Sequence, residues 1–308
     1  MTVYYLCNWD SLSGGIRVLY DHVRTLRRSG VDARLGATGT FLRCVWFDHK
    51  IAEIPGVDDV LDKLRPGDRL VVPELLLADP SLRHSPAGLS AFVQNLKLVP
   101  PDVDWSRFEL VLTASTPLFD ALRPAIADRV SVVAVPHFLA TDLVAPPRTW
   151  FAAARPKALI NPRFGKHRNE PYLTARMLED SGLDVTVAER PMHRNDFVRL
   201  FRDHALYLHL SYPVGFPGPV AEAFGAGCLV AGFTGLGGLE FMRDGENCLT
   251  AEDGDWRQVV RHARSVLRRP AAELSAMIAS ARATILRYDE ATFARRLTAA
   301  FAAERRRR

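Results

Sequence analysis

Short apolar runs separated by amphipathic stretches of helical period recur along the whole 308-residue sequence, and this alternation limits the possible folds more than any other feature. A strand buried on both faces reads as a continuous apolar run. Joined to the next strand by a crossover helix, it makes a βαβ unit, and repeated units build a parallel sheet covered by helices. Val3 to Cys7 reads as the first strand and Ser11 to Gly15 as a glycine-containing loop. Ile16 to Ser29 then reads as a helix, with Val18, Leu19, Val23 and Leu26 on its apolar face and Gly30 stopping it. Ala33 to Leu35, Arg69 to Val72, Ser90 to Val93, Leu110 to Thr113 and Ser131 to Val135 continue the series, giving one doubly wound α/β domain.

The stretch from Thr141 to Pro156 carries Pro146, Pro147 and Pro156 with little periodicity, which marks a linker. A second series follows, with strands over Ala158 to Ile160, Asp184 to Val187, Ala205 to Leu210, Cys228 to Gly232 and Cys248 to Ala251. Helices are expected near Pro171 to Ser181, Arg194 to Arg202, Pro219 to Gly225, Leu236 to Met242 and Trp256 to Leu267, and Asp289 to Ala303 has the spacing of a docking helix. Two domains suit a chain of this length, because single cores stop growing near it. Consecutive doubly wound domains present a ligand cleft at the carboxyl ends of their strands, so function must come from the residues expected to line it.

Composition excludes several classes. The longest apolar stretches, such as Leu70 to Leu77, fall far short of the ~20 residues that a membrane span needs. The sequence opens directly on an apolar strand without a basic leader or cleavage site, so a cytoplasmic location is expected. Cys7, Cys44, Cys228 and Cys248 have no paired spacing, which argues for buried thiols and against a zinc site or a disulfide framework. Arg305 to Arg308 supply four of the five net positive charges, leaving +1 for the body. A terminal arginine run reads as a solvated end. The sharper alternative is peripheral contact with anionic lipid or a polyanion, and nucleic acid is the less favoured partner.

The chemistry concentrates in Ser211 to Glu240. This segment runs from a strand end through the turn Val214-Gly215-Phe216-Pro217-Gly218 into a helix carrying Glu222, then through another strand into Thr234 to Gly238. Glycines before a helix let backbone amides approach an anion where the helix dipole favours negative charge, so both turns suit a diphosphate. A carboxylate one turn inside, Glu222, can accept from two vicinal ribose hydroxyls. Asn161 to Arg168 follows the first strand of the second domain, and its basic residues Arg163, Lys166 and Arg168 suit a diphosphate at that end.

The long segment resembles the retaining family 4 glycosyltransferases. The match is carried by Pro213, Gly215, Phe216, Pro219, Glu222, Ala223, Gly227, Cys228, Val230, Gly232, Gly235, Gly237, Gly238 and Glu240. The resemblance implies a GT-B fold: two doubly wound Rossmann-like domains facing a cleft, over 1–150 and 151–288, with 289–308 forming a helix that returns to the first domain and an arginine-rich tail. It implies ribose binding by Glu222 and phosphate binding by Arg163 with Lys166 or Arg168, assisted by helix-terminal amides around Gly237 and Gly238. Ser13 to Arg17 resembles the family's first loop, where Gly14 and Gly15 admit the donor phosphate or the acceptor. Val72 to Glu74 and Phe92 to Asn95 resemble stretches of its short members, which places Glu74, Gln94 and Asn95 toward the transferred sugar. His137 reads as a hinge or core residue.

One position departs from the pattern. The family's first motif carboxylate, which touches the donor sugar, falls at Val214. That implies a donor with fewer or differently placed hydroxyls, a substitute group nearby, or lost activity. The activity implied is transfer of a sugar, hexosyl or deoxyhexosyl, from a nucleoside diphosphate with retention and without a metal. No other cofactor is implied, and the acceptor is a carbohydrate, a lipid-linked sugar or another hydroxyl. The alternatives are a catalytically silent nucleotide- or partner-binding domain and a nucleic-acid-modifying glycosyltransferase.

Overall fold

A run of five residues with every side chain buried, Val3–Cys7, forms β1, an interior strand of the first sheet. The computed structural model describes residues 1–7, 14–37, 46–140, 144, 156–162, 169–190 and 192–305. Its contacts divide the chain into two units, Met1–His137 with Glu290–Arg308, and Phe138–Asp289.

In the first unit β1 is followed by α1 (Gly14–Arg28), β2 (Ala33–Ala37), β3 (Glu53–Pro55), α2 (Val57–Leu61), β4 (Arg69–Pro73), β5 (Gly88–Val93), β6 (Phe108–Thr113), α3 (Thr116–Ile126) and β7 (Ser131–Ala134). The strands lie in the order β3-β2-β1-β4-β5-β6-β7, and each neighbouring pair is parallel. α3 begins where the Ser115 hydroxyl accepts from the Leu118 N–H at 3.4 Å, with a proline in its first turn, as N-caps require.

The second unit contains β8 (Lys157–Ile160), α4 (Glu170–Glu179), β9 (Asp184–Val187), α5 (Arg194–Asp203), β10 (Leu206–His209), α6 (Gly218–Ala226), β11 (Leu229–Phe233), β12 (Leu249–Ala251), α7 (Trp256–Val266) and α8 (Ala271–Ile285). Its sheet runs β12-β11-β10-β8-β9, again all parallel. Apolar layers cover both faces. Leu206, Leu208 and Phe233 pack with Val259, Val260 and Leu274, while Tyr207 and Val230 pack with Val220, Phe224 and Ile285.

Where the chain enters and leaves this unit, the Leu139 N–H donates to the Tyr288 carbonyl at 2.9 Å. Leu139 is buried in the core beside Phe224, so the second unit begins at Phe138, ahead of the proline-rich stretch expected to act as linker. The last helix, α9 (Glu290–Arg305), belongs to the first unit. There Phe293 packs against the rings of His22 and His137, and Glu290 meets Arg28 at 2.6 Å. The ion pair is exposed and worth well under about 1 kcal/mol, whereas a buried phenyl ring contributes roughly 1.5–3 kcal/mol.

Each sheet reverses its strand order once, between β1 and β4 in the first unit and between β8 and β10 in the second. Such reversals splay the connecting helices to opposite faces and leave a crevice outside the carboxyl ends of the two strands. Among the described residues no helix is long and apolar enough to cross a membrane. Cys7, Cys228 and Cys248 are buried and in no disulfide, and Cys44 lies outside the described residues.

Candidate functional site

In the second unit, the turn after β10 is held against the turn after β11 by backbone pairing. The Val214 N–H donates to the Gly235 carbonyl at 3.0 Å, and the Gly237 N–H donates back to the Val214 carbonyl at 2.9 Å. Between them Leu236 has φ 68° and ψ −61°, the geometry of a strained γ-turn, closed by the Gly237 N–H on the Gly235 carbonyl at 2.9 Å. Asp253 fixes the other side, its carboxylate accepting from the Gly235 N–H at 2.9 Å. The fit excludes side chains: a Cβ on Gly237 would overlap the Gly215 carbonyl, and one on Gly235 would stand 2.6 Å from Cγ2 of Val214. Gly237→Ala is therefore expected to cost about 1–3 kcal/mol, the range for overpacking. A lower urea midpoint at unchanged m would register it, and an unchanged midpoint would show that the two turns do not interlock.

This pairing corrects the amide-donor role expected of Gly237 and Gly238. The Gly237 N–H is committed to Val214 and Gly235, and the Gly238 N–H donates to the Thr234 carbonyl at 2.7 Å. The helix expected over Leu236 to Met242 is only a 3₁₀ turn, Gly237–Glu240, too short for a useful dipole. These glycines shape the turn. Val214 is half-buried with its side chain against Gly235, Phe216 packs on the rings of Phe241 and Tyr288, and Pro217 and Gly218 lead into α6. The Tyr288 hydroxyl holds Glu240, donating to its carboxylate at 3.1 Å.

Glu222 lies one turn inside α6 and is 6% exposed, with Oε1 3.4 Å from Nε of Arg194 at the start of α5. Sequence reading missed both Arg194 and Asp253. Each lies far in sequence from its partner, and no motif announces it. Arg163, Lys166 and Arg168 lie outside the described residues.

The first unit gathers a second polar group at its own reversal. Gly14 and Gly15 open α1, Glu74 follows β4, and Gln94 and Asn95 follow β5. Glu74 is fully buried and accepts from the Gln94 N–H on Oε2 at 3.3 Å. Burial pushes its carboxyl from the ordinary 4.5 up to about 7, against the lowering effect of backbone amides, those of Gln94 and Asn95 among them. The Asn95 side-chain oxygen caps a 3₁₀ turn, accepting from the Lys97 N–H at 3.1 Å. Gly14 is exposed with open space around it, whereas a Cβ on Gly15 would stand 2.9 Å from Oε1 of Gln94. His137 is buried, with Nε2 3.1 Å from Asp21. Among the described residues no cluster of three or more His, Cys, Asp or Glu could hold a metal.

This architecture has known counterparts. HepE from Anabaena, solved with UDP and glucose, superposes with a TM-score of 0.74 at 14% identity, covering 98% of this chain and 100% of that one. Sucrose-phosphate synthase from Thermosynechococcus elongatus gives 0.71 at 13% identity, covering 98% of both chains. The fold is GT-B. The pneumococcal O-GlcNAc transferase GtfA, solved with UDP and GlcNAc, gives 0.69 at 12% identity over 99% of each chain. A family model described as glycosyl transferase-like matches residues 164–302, which span most of the second unit and reach into α9. No curated protein sequence matches significantly.

Proposed function

We propose that the chain is a glycosyltransferase that moves a sugar from a nucleoside diphosphate to an acceptor hydroxyl, with retained anomeric configuration and no metal. The observation that carries this reading is Glu222, a buried carboxylate one turn into the helix that follows β10, beside the strand-order reversal where doubly wound folds bind nucleotides. The glycosyl transferase-like match over 164–302 and the UDP complexes of HepE and GtfA support it. A carboxylate has acceptor capacity for about four hydrogen bonds, so Glu222 can hold Arg194 on Oε1 and still receive a vicinal diol. Arg163, with Lys166 or Arg168, stabilises the leaving diphosphate, whose charge grows as the glycosidic bond breaks. The departing phosphate takes the acceptor proton, so no acid–base carboxylate pair is required. Val214 selects a donor sugar with fewer hydroxyls at that position, such as a deoxyhexose, because an isopropyl group cannot pair with one.

Glu222→Ala is expected to weaken UDP binding by about 1.5–3 kcal/mol, the range for a hydrogen bond to a charged group. Calorimetric titration of UDP into wild type and variant tests this, and equal affinity in a folded variant removes Glu222 from the site. Val214 also favours a second reading, a silent domain that binds nucleotide without turnover. Binding of UDP with no hydrolysis of any nucleotide sugar would select it.

A further inference from the structure

The outer strands of an open sheet present rows of backbone N–H and C=O groups with which another chain can pair, and folded proteins commonly block them. Three of the four outer strands in the two sheets are guarded. β3 ends on Pro55, and at β12 the outward Thr250 N–H donates to the Asp244 carboxylate at 2.7 Å while its carbonyl meets Nε2 of His262 at 2.9 Å. β9 opens on the exposed Asp184, and its Val187 carbonyl accepts from the Glu189 N–H at 2.9 Å. β7 has none of these devices. Its four residues, Ser131-Val132-Val133-Ala134, include no charge and no proline and pair with β6 without a register shift.

The Val135 N–H donates to the Thr113 carbonyl at 2.9 Å, so Ser131 and Val133 likewise turn their backbone groups toward β6, while Val132 and Ala134 turn theirs outward. Among the described residues nothing pairs with these outward groups. All four residues of β7 keep part of their surface open to solvent. Beside the amino end of the strand lies a groove of about 590 Å³, lined by two arginines, Arg123 and Arg129, and two carboxylates, Glu109 and Asp128. A second copy would thus meet both signs of charge and no wall of like charge.

We propose that two copies of this chain join β7 to β7 in antiparallel fashion across a two-fold axis, so that the two seven-stranded sheets become one. Val132 pairs with Ala134 of the second copy, and Ala134 with its Val132, each pair exchanging both of its N–H···O bonds. Val133 then lies opposite Val133 of the second copy, apolar against apolar. β7 is its own complement in this arrangement, because its outward donors and acceptors recur with the same spacing when the strand is reversed. The proposal is independent of the glycosyltransferase reading.

The test follows the full chain by sedimentation velocity between about 5 and 200 µM, since so short a pairing gives a reversible dimer. The wild type should dimerise, and Val133→Lys, which sets two ammonium groups face to face, should weaken the dimer at least tenfold. With oxidised glutathione, Val133→Cys should give a covalent dimer, because such non-hydrogen-bonded neighbours have Cα atoms about 4.5 Å apart, within disulfide reach. Ser131→Cys should not exceed the wild-type background, since it shares that face but stands about 14 Å from its counterpart. A wild type that stays monomeric throughout overturns the proposal and leaves the edge to an extended segment of another polypeptide. So does a dimer that tolerates Val133→Lys, or one that cross-links no better through Val133→Cys than through Ser131→Cys, because its interface then lies elsewhere or in another register. The two cysteine variants decide the matter even if the lysine variant fails to fold.

Discussion

Replacement of Glu74 by Gln is expected to stabilise the protein by about 3 kcal/mol at pH 8 and to leave it nearly unchanged at pH 4. The carboxyl is fully buried, and burial raises its pKa from the ordinary 4.5 to about 7. A raised carboxyl pKa means that the folded state holds a proton which the unfolded chain has already released. Stability therefore falls as pH rises above 4.5, and the full penalty is present above 7. A shift of this size is worth about 3 kcal/mol at roughly 1.4 kcal/mol per unit. Gln keeps the shape and the hydrogen-bonding atoms but cannot ionise, so the gap between variant and wild type should open across that window. Urea unfolding at pH 4, 6 and 8 measures it, and parallel pH profiles would show that the Glu74 carboxyl is hydrated in the folded state.

The sequence announced Glu74 as a polar residue after a strand, but its ionisation depends on what β4 and β5 exclude from around it. The same division runs through the rest of the molecule. Strands buried on both faces, such as Val3–Cys7 and Arg69–Pro73, are legible because nothing else reads as a short continuous apolar run. β3 is not, since Glu53–Pro55 offers one aliphatic residue and gains its place only by pairing with β2. α3 and α8 were also unread. In α8 the buried Leu274, Met277, Ile278, Ala281 and Ile285 keep helical spacing, but alanines on the other face blur the contrast between the two sides. The glycines at 235 and 237 were visible as a motif, whereas the roles of their amides required the pairing with Val214. Motif reading thus located the turns. Which groups in them remain open to a ligand was settled by tertiary contacts that have no local signature.

Acid should weaken the first unit through His22, by about 3 kcal/mol between pH 7 and pH 4. The imidazole is fully buried, with Nδ1 3.0 Å from the Tyr5 hydroxyl and its ring against Phe92 and Phe293. Burial pushes its pKa from 6.5 down to about 3; His137 adds to the drop and Asp21 opposes it. A lowered histidine pKa means that the unfolded chain takes up a proton which the folded state refuses. The stability it confers is intact above pH 6.5, is lost progressively below that, and is gone at about 3. At pH 4 roughly 2.5 units of that shift have been traversed, or about 3 kcal/mol. The double variant Tyr5→Phe with His22→Phe removes both polar partners from the pocket together, a change that can be nearly neutral when shape is kept. Its stability should fall less than that of wild type over the same range, because only the wild type has this group to protonate. The measurement is the difference between the two urea-derived stabilities at pH 7, 5 and 4. A difference that stays constant would mean that His22 accepts a proton without unfolding, and that the contact joining α1 to α9 opens to water instead.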